Sequence, residues 1–150
     1  MLSSGTGRQR LRDFYTLDHV VDRLKTARKI IVVSGAGVSV STGIPDFRSR
    51  DGLYNTLDCA KIGIPSAELL FDMGFFEIDP QPFYRFAPAL LPGQHIRPSP
   101  CHRFLALLQA RKQLLRNYTQ NVDGLERRAG LTQAVLMECH GSMSTFKCTG

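Results

Sequence analysis

Apolar and polar positions along this chain follow two periods in turn. Leu17, Val20, Val21, Leu24 and Ala27 recur at three- and four-residue steps, which predicts an amphipathic helix, with Thr16 placed as its N-cap. Ile30-Ile31-Val32-Val33 follows as an unbroken β-branched run. Such a run suits a strand buried on both faces of a parallel sheet. Ser99-Pro100 opens a second helix, with Ser as the cap and Pro in the first turn. Its predicted apolar stripe is Cys101, Phe104, Leu105 and Leu108. Leu114–Thr119 and Ala134–Cys139 read as two more strands. Between them a short helix is expected from about residue 123 to Ala129, ended by Gly130.

Residues 43–98 break this rhythm. They hold seven of the eight prolines and the aromatics Phe47, Tyr54, Phe71, Phe75, Phe76, Phe83, Tyr84 and Phe86. The pattern predicts a loop to about residue 65 and short helices near 66–73 and 80–91. A connection this long inside a compact domain is usually functional. It reads as a helical module inserted at about 55–98, its aromatics packed into a core. The fold class is therefore α/β, a parallel sheet with an inserted helical module.

Composition narrows the class. With 43% apolar and 21% charged residues over 150 positions, the chain suits one soluble globular domain. No apolar run approaches the ~20 residues of a membrane-spanning helix, and no membrane partner is expected. Arg8, Arg10 and Arg12 faintly resemble a mitochondrial leader, but a basic N-terminal extension over residues 1–14 fits better. The net charge of +6 comes without a long Lys/Arg run, so direct nucleic-acid binding is not expected. Cys59, Cys101, Cys139 and Cys148 form no disulfide framework and read as reduced thiols.

Each predicted strand ends in a polar or glycine-rich cluster. These are Gly35-Ala36-Gly37-Val38-Ser39, Gln120-Asn121-Val122-Asp123 and His140-Gly141. If the strands are parallel, the clusters converge beyond their carboxyl ends, where open α/β sheets bind ligands. Gly35-Ala36-Gly37 permits a tight turn and close approach of a pyrophosphate, although Val40 replaces the third glycine of a dinucleotide fingerprint. The loop Pro45–Gly52 carries Arg48 and Arg50, which could fork onto phosphate, and Phe47, which could cover a reactive ring; an ordinary salt-bridged turn is the alternative. Asn121 and Asp123 suit ribose hydroxyls and a carboxamide, or one of them caps the next helix. His140 at a strand end could act as a general base, or be structural. Cys139 is expected to be a buried thiol facing away from His140.

Taken together, Gly-Ala-Gly-Val-Ser at 35–39, Gly-Ile-Pro-Asp-Phe-Arg-Ser at 43–49, Thr-Gln-Asn-Val-Asp at 119–123 and His-Gly at 140–141 resemble the sirtuin signature in order and spacing. Leu115-Arg116-Asn117-Tyr118 adds to the likeness, which runs from about residue 15 to the end and looks most like the nuclear, silencing-type branch. The resemblance implies a Rossmann-like large domain and a small domain with a zinc ribbon and helical module. It implies an NAD-dependent protein-lysine deacetylase acting on an acetylated protein or peptide. Nicotinamide would be displaced at the ribose C1′, a histidine would activate a ribose hydroxyl, and O-acetyl-ADP-ribose would leave.

Residue by residue, the resemblance makes His140 the catalytic base. Gly35, Ala36, Gly37 and Ser39 fall on the pyrophosphate turn, and Asp46, Phe47, Arg48 and Tyr54 on the cofactor loop. Gln120 and Asn121 fall on the ribose and water contacts, which makes Asn121 a catalytic residue, and Asp123 on the nicotinamide amide. Cys148 matches the first zinc cysteine; its partner would fall three residues on, so the zinc module beginning near residue 142 is expected to be cut off. The 150 residues alone are therefore expected to bind NAD poorly and to catalyse little. A non-catalytic truncated product, or a sirtuin removing other acyl groups, are the alternatives. The desuccinylating branch carries Tyr-x-x-Arg in its acyl pocket; here Tyr84 and Arg85 are adjacent, which favours acetyl. The branch implies a nuclear location, with a cytoplasmic one as alternative. The sequence assigns no oligomeric state.

Overall fold

The computed structural model describes residues 13–90, 93 and 95–144. Arg8, Arg10, Arg12 and Cys148 lie outside the described residues. The first helix, α1 (Leu17–Thr26), begins where Thr16 accepts a hydrogen bond from the His19 N–H. It leads into β1 (Ile30–Ser34) and then into two single 3₁₀ turns, Ala36–Val38 and Val40–Thr42. The segment read as loop to residue 65 contains two one-turn helices, α2 (Leu53–Thr56) and α3 (Cys59–Ile62). A 3₁₀ turn (Ala67–Phe71), α4 (Met73–Ile78) and α5 (Gln81–Leu90) complete a helical stretch. Leu53, Ile64, Ala67, Leu70 and Ala87 are buried within it.

The remaining elements build the sheet. These are α6 (Pro100–Ala110), β2 (Leu114–Thr119), α7 (Leu125–Arg128) and β3 (Leu136–Glu138). The strands form one three-stranded sheet in the order β1-β2-β3, with both pairs parallel. Parallel neighbours require a crossover, which α6 and α7 provide. Leu105 and Leu108 of α6 pack with Leu114, Leu131 and Leu136, and with Ile30 and Val32 from β1.

Three expectations fail for physical reasons. β1 is covered on one face only: Ile31 and Val33 are 58% and 69% exposed. The continuous β-branched run matched a two-sided strand, but helices pack on one side alone among the described residues. On α6, Cys101 and Phe104 are exposed, while His102, Leu105 and Leu108 are buried. His102 closes a capping box with Ser99 and faces inward at the first turn. Cys139 is exposed, not buried, because β3 ends at Glu138 and the cysteine lies past the sheet.

Candidate functional site

Register decides where the clusters meet. Ser34 pairs with Thr119, and Thr119 with Glu138, so the three strands leave the sheet at one edge. The Gln120 N–H donates to the Ser34 carbonyl (3.0 Å) and the Cys139 N–H to the Thr119 carbonyl (2.9 Å), which carries the ladder one step beyond the strands. Gly35, Asn121 and His140 are thereby fixed relative to one another.

Ser39, only 1% exposed, is the hinge of this edge. Its hydroxyl donates to Asp123 Oδ2 at 2.7 Å. Asn121 Nδ2 donates to the Gly35 carbonyl (3.1 Å) and reaches Ser39 Oγ (3.4 Å), stitching the ends of β1 and β2 together. Asp123 does both things its position allowed. Its Oδ1 caps the next turn by accepting from the Leu125 N–H at 2.9 Å, and its Oδ2 holds Ser39. Asn121 is not the cap.

A cavity of about 200 Å³ opens here, lined by Ala36, Ser39, Phe47, Asn121 and Asp123 together with Ile44, Pro45, Leu53, Phe86 and Val122. Its walls are mostly apolar, and its few polar groups sit on one side. A flat ring with one polar substituent fits that chemistry. Ideal Cβ atoms at Gly35 and Gly37 meet nothing within 4 Å, so the turn leaves room for a ligand to approach the backbone. The turn runs into 3₁₀ turns rather than a long helix, so helix-dipole attraction for an anion is small here.

The loop after Gly43 is internally braced. Asp46 Oδ1 accepts from the Ser49 N–H at 2.9 Å, and the Asp46 and Phe47 carbonyls accept from the Leu53 and Tyr54 N–H groups at 2.7 and 3.0 Å. The Ser49 N–H, then the Ser49 hydroxyl, hold the Asp46 carboxyl below its ordinary value. Phe47 packs on Tyr54 and Phe71, with centroids 5.7 and 5.5 Å away. Tyr54 thus supports Phe47 from behind, and Arg48 is exposed outside the cavity lining.

His140 Nδ1 lies 3.0 Å from the Gln120 carbonyl. A carbonyl only accepts, so Nδ1 carries the proton and the neutral ring leaves Nε2 bare. The side chain is exposed and is not among the residues that line the cavity.

Sequence reasoning missed Leu53 and Phe86 in the cavity wall, and the polar layer beneath it. Ser34, Asn117, Thr119 and Glu126 are all buried. Thr119 and Ser34 donate to Glu126 Oε1 at 2.6 and 3.3 Å, and Asn117 Nδ2 donates to Ser34 at 3.1 Å. Polar residues inside predicted strands were the available signal; for Phe86 there was none, because only tertiary packing brings α5 to the cavity.

The parallel sheet thus brings the glycine turn, Asn121 and Asp123 and, one step past β3, His140 to one edge, where open α/β sheets bind ligands. The sequence model of the Sir2 family matches residues 35–150, and the chain belongs to that family. A second model, described as a protein of unknown function (DUF592), matches residues 3–34. The chain is 48% identical over 149 residues to the "NAD-dependent histone deacetylase sirtuin-1" of Drosophila melanogaster, covering 99% of this chain and 18% of that protein. It is 47% identical over 148 residues to the "NAD-dependent protein deacetylase sirtuin-1" of Homo sapiens, covering 99% and 19%. Against the "NAD-dependent histone deacetylase SIR2" of Saccharomyces cerevisiae it is 47% identical over 141 residues, covering 94% and 25%. The chain thus spans about a quarter or less of the length of these relatives.

Proposed function

We propose that this chain carries the nicotinamide side of an NAD-dependent protein-lysine deacetylase site. The observation that carries the reading is the pairing of the Asn121–Asp123 cavity with a histidine whose Nε2 is bare. The relatives' names support NAD as cofactor and acetylated protein, including histone, as substrate. When bound, NAD supplies the electrophilic ribose carbon that the acetyl oxygen attacks. The residues of this chain do the rest. Asp123 accepts from the carboxamide of the nicotinamide ring, and Ser39 holds Asp123 for that task. Asn121 orients the ribose side, with Gln120 beside it, while Phe47 closes the cavity and excludes water. The Gly35-Ala36-Gly37 turn lets the pyrophosphate approach, and Arg48 stands on the loop that would meet it. His140 Nε2 takes the proton from a ribose hydroxyl, and its Nδ1–H stays on the Gln120 carbonyl, which stabilises the imidazolium that forms.

The finer architecture belongs to the same reading. Residues 55–98 form a helical module beside the sheet, and a zinc module begins near residue 142. Cys148 is the one residue of the chain assigned to that metal; the described residues supply no cysteine cluster to complete a four-ligand site, and no step above passes through zinc. Histone substrates favour a nuclear location. Tyr84 packs among Phe76 and Phe83, and Arg85 donates to the Ile62 carbonyl, so neither forms an acyl-carboxylate clamp, which supports acetyl over succinyl.

The test is made on the full-length protein. His140→Ala should abolish nicotinamide release from NAD with acetyl-lysine peptide while the melting temperature is kept. Turnover that survives would remove the base assignment, and succinyl-lysine turned over faster than acetyl-lysine would remove the substrate assignment.

A further inference from the structure

Beneath the cavity, one ring nitrogen of His102, one carboxylate oxygen of Asp123 and one of Glu126 lie within 4.8 Å of one another. His102 and Glu126 are 0% and 1% exposed. The imidazole has a defined tautomer. Its Nδ1 accepts from the Ser99 N–H at 3.2 Å and lies 2.8 Å from Ser99 Oγ. A nitrogen that accepts a backbone N–H holds no proton, so the neutral ring carries its proton on Nε2. That Nε2 is buried with no hydrogen-bond partner. A buried donor without an acceptor is costly, and the two carboxylates are the acceptors close by.

Both acids retain capacity. Asp123 takes one donor on each oxygen, Ser39 Oγ and the Leu125 N–H, and each carboxylate oxygen has two lone pairs. Glu126 takes Thr119 and Ser34 on Oε1. A neutral donor placed between the two acids can serve both without adding charge. The same trio is also a donor set for a divalent cation. The burial of His102 and Glu126, and the hydroxyls already on Glu126, favour a proton there.

We propose that His102 is a positioning residue for Asp123. Through one bridging water, its Nε2–H holds the Asp123–Glu126 pair, and so sets the carboxylate edge that Asp123 presents to the cavity. The affinity of the cavity for a carboxamide ring then depends on a histidine that never touches the ligand. This rests on the assignment of Asp123 to the nicotinamide amide.

Two experiments test it. In the chain labelled with ¹⁵N-histidine, the His102 ring should show the Nε2–H tautomer by NMR; an Nδ1–H tautomer overturns the proposal. In the full-length protein, three variants separate positioning from helix capping. His102→Asn keeps a polar atom near Nδ1 for Ser99 and deletes Nε2. His102→Gln returns a donor near Nε2. Ser99→Ala breaks the cap and leaves Nε2. Loss of a charge-assisted hydrogen bond should raise the nicotinamide inhibition constant about tenfold in His102→Asn. His102→Gln should restore most of it, and Ser99→Ala should leave it unchanged while lowering the melting temperature. An unchanged constant in His102→Asn, or a Ser99→Ala variant that behaves like it, overturns the proposal; if His102→Asn does not fold, the tautomer decides. Asp123→Asn is run in parallel. If it leaves nicotinamide inhibition intact, the assignment of Asp123 itself fails; if it weakens inhibition and His102→Asn does not, only the positioning role fails.

Discussion

Single residues of the 46–52 loop carry more than their side chains suggest. Gly52 is buried, and a Cβ there would lie 2.6 Å from Asp46 Oδ1, 2.8 Å from the Ser49 nitrogen and 2.9 Å from the Arg48 nitrogen. Two of those atoms are backbone and cannot swing away. Gly52→Ala should therefore open the turn, seen as faster amide exchange at Ser49, Leu53 and Tyr54, and should weaken NAD binding by the full-length protein; unchanged exchange would mean that the loop repacks freely. Asp46 gives the same turn a pH dependence. Its folded value lies below the ordinary 3.8, so its contribution is complete above that value and is lost as pH falls through the folded one. Exchange protection of the Ser49 amide should stay flat from neutral pH down to about 3.8 and fall only below it, and Asp46→Asn should remove the step. Asn121, Asp123 and His140 could be singled out as candidates from sequence because each sits in a short polar cluster at a strand end, and Asp46 and Phe47 because their loop is dense in charge. His102 and Glu126 were not, since nothing local marks a histidine on a helix or a glutamate one residue into a turn as facing inward.

At the scale of elements, the period of α6 and half of its apolar stripe were legible, and the inward-facing His102 was not. Leu105 and Leu108 are buried as the stripe predicts, whereas Cys101 and Phe104 are exposed and His102, joined to Ser99 in a capping box, is buried. Leu105 is 2% exposed and joins β2 and β3 through Leu114 and Leu136. Leu105→Ala should cost about 2–5 kcal/mol, measured by urea unfolding. Phe104→Ala on the neighbouring exposed position should cost far less, and equal losses would mean that the helix is rotated from its described phase. The short helices α2 and α3 escaped the sequence pattern for a different reason. One-turn helices show no period, and theirs are set by caps such as the Asp58 carboxylate, which accepts from the Lys61 N–H at 3.1 Å.

For the whole molecule, the governing feature is that one side of the sheet is uncovered among the described residues. Ile31, Val33, Leu115, Tyr118 and Met137 are all exposed, and Ile31 and Val33 alternate with the core-facing Ile30 and Val32. Exposed apolar residues on one sheet face make an association surface or an aggregation hazard. The unbroken β-branched run of β1 was right about the side chains and silent about what covers them, because hydrophobicity records a preference for burial and not the element that satisfies it. The 150-residue chain should therefore self-associate at tens of micromolar, read by light scattering after size exclusion. Ile31 pairs with Arg116 and Val33 with Tyr118 across the β1–β2 ladder. In an Ile31→Glu, Val33→Lys double variant the new glutamate faces an arginine and the new lysine a tyrosine ring, so cross-strand pairing is kept while the apolar face is broken. The variant should remain monomeric with an unchanged circular dichroism spectrum. If it associates as the parent does, the sheet face is not the surface responsible, and the exposed stripe of Leu17, Val20 and Val21 on α1 becomes the next to test.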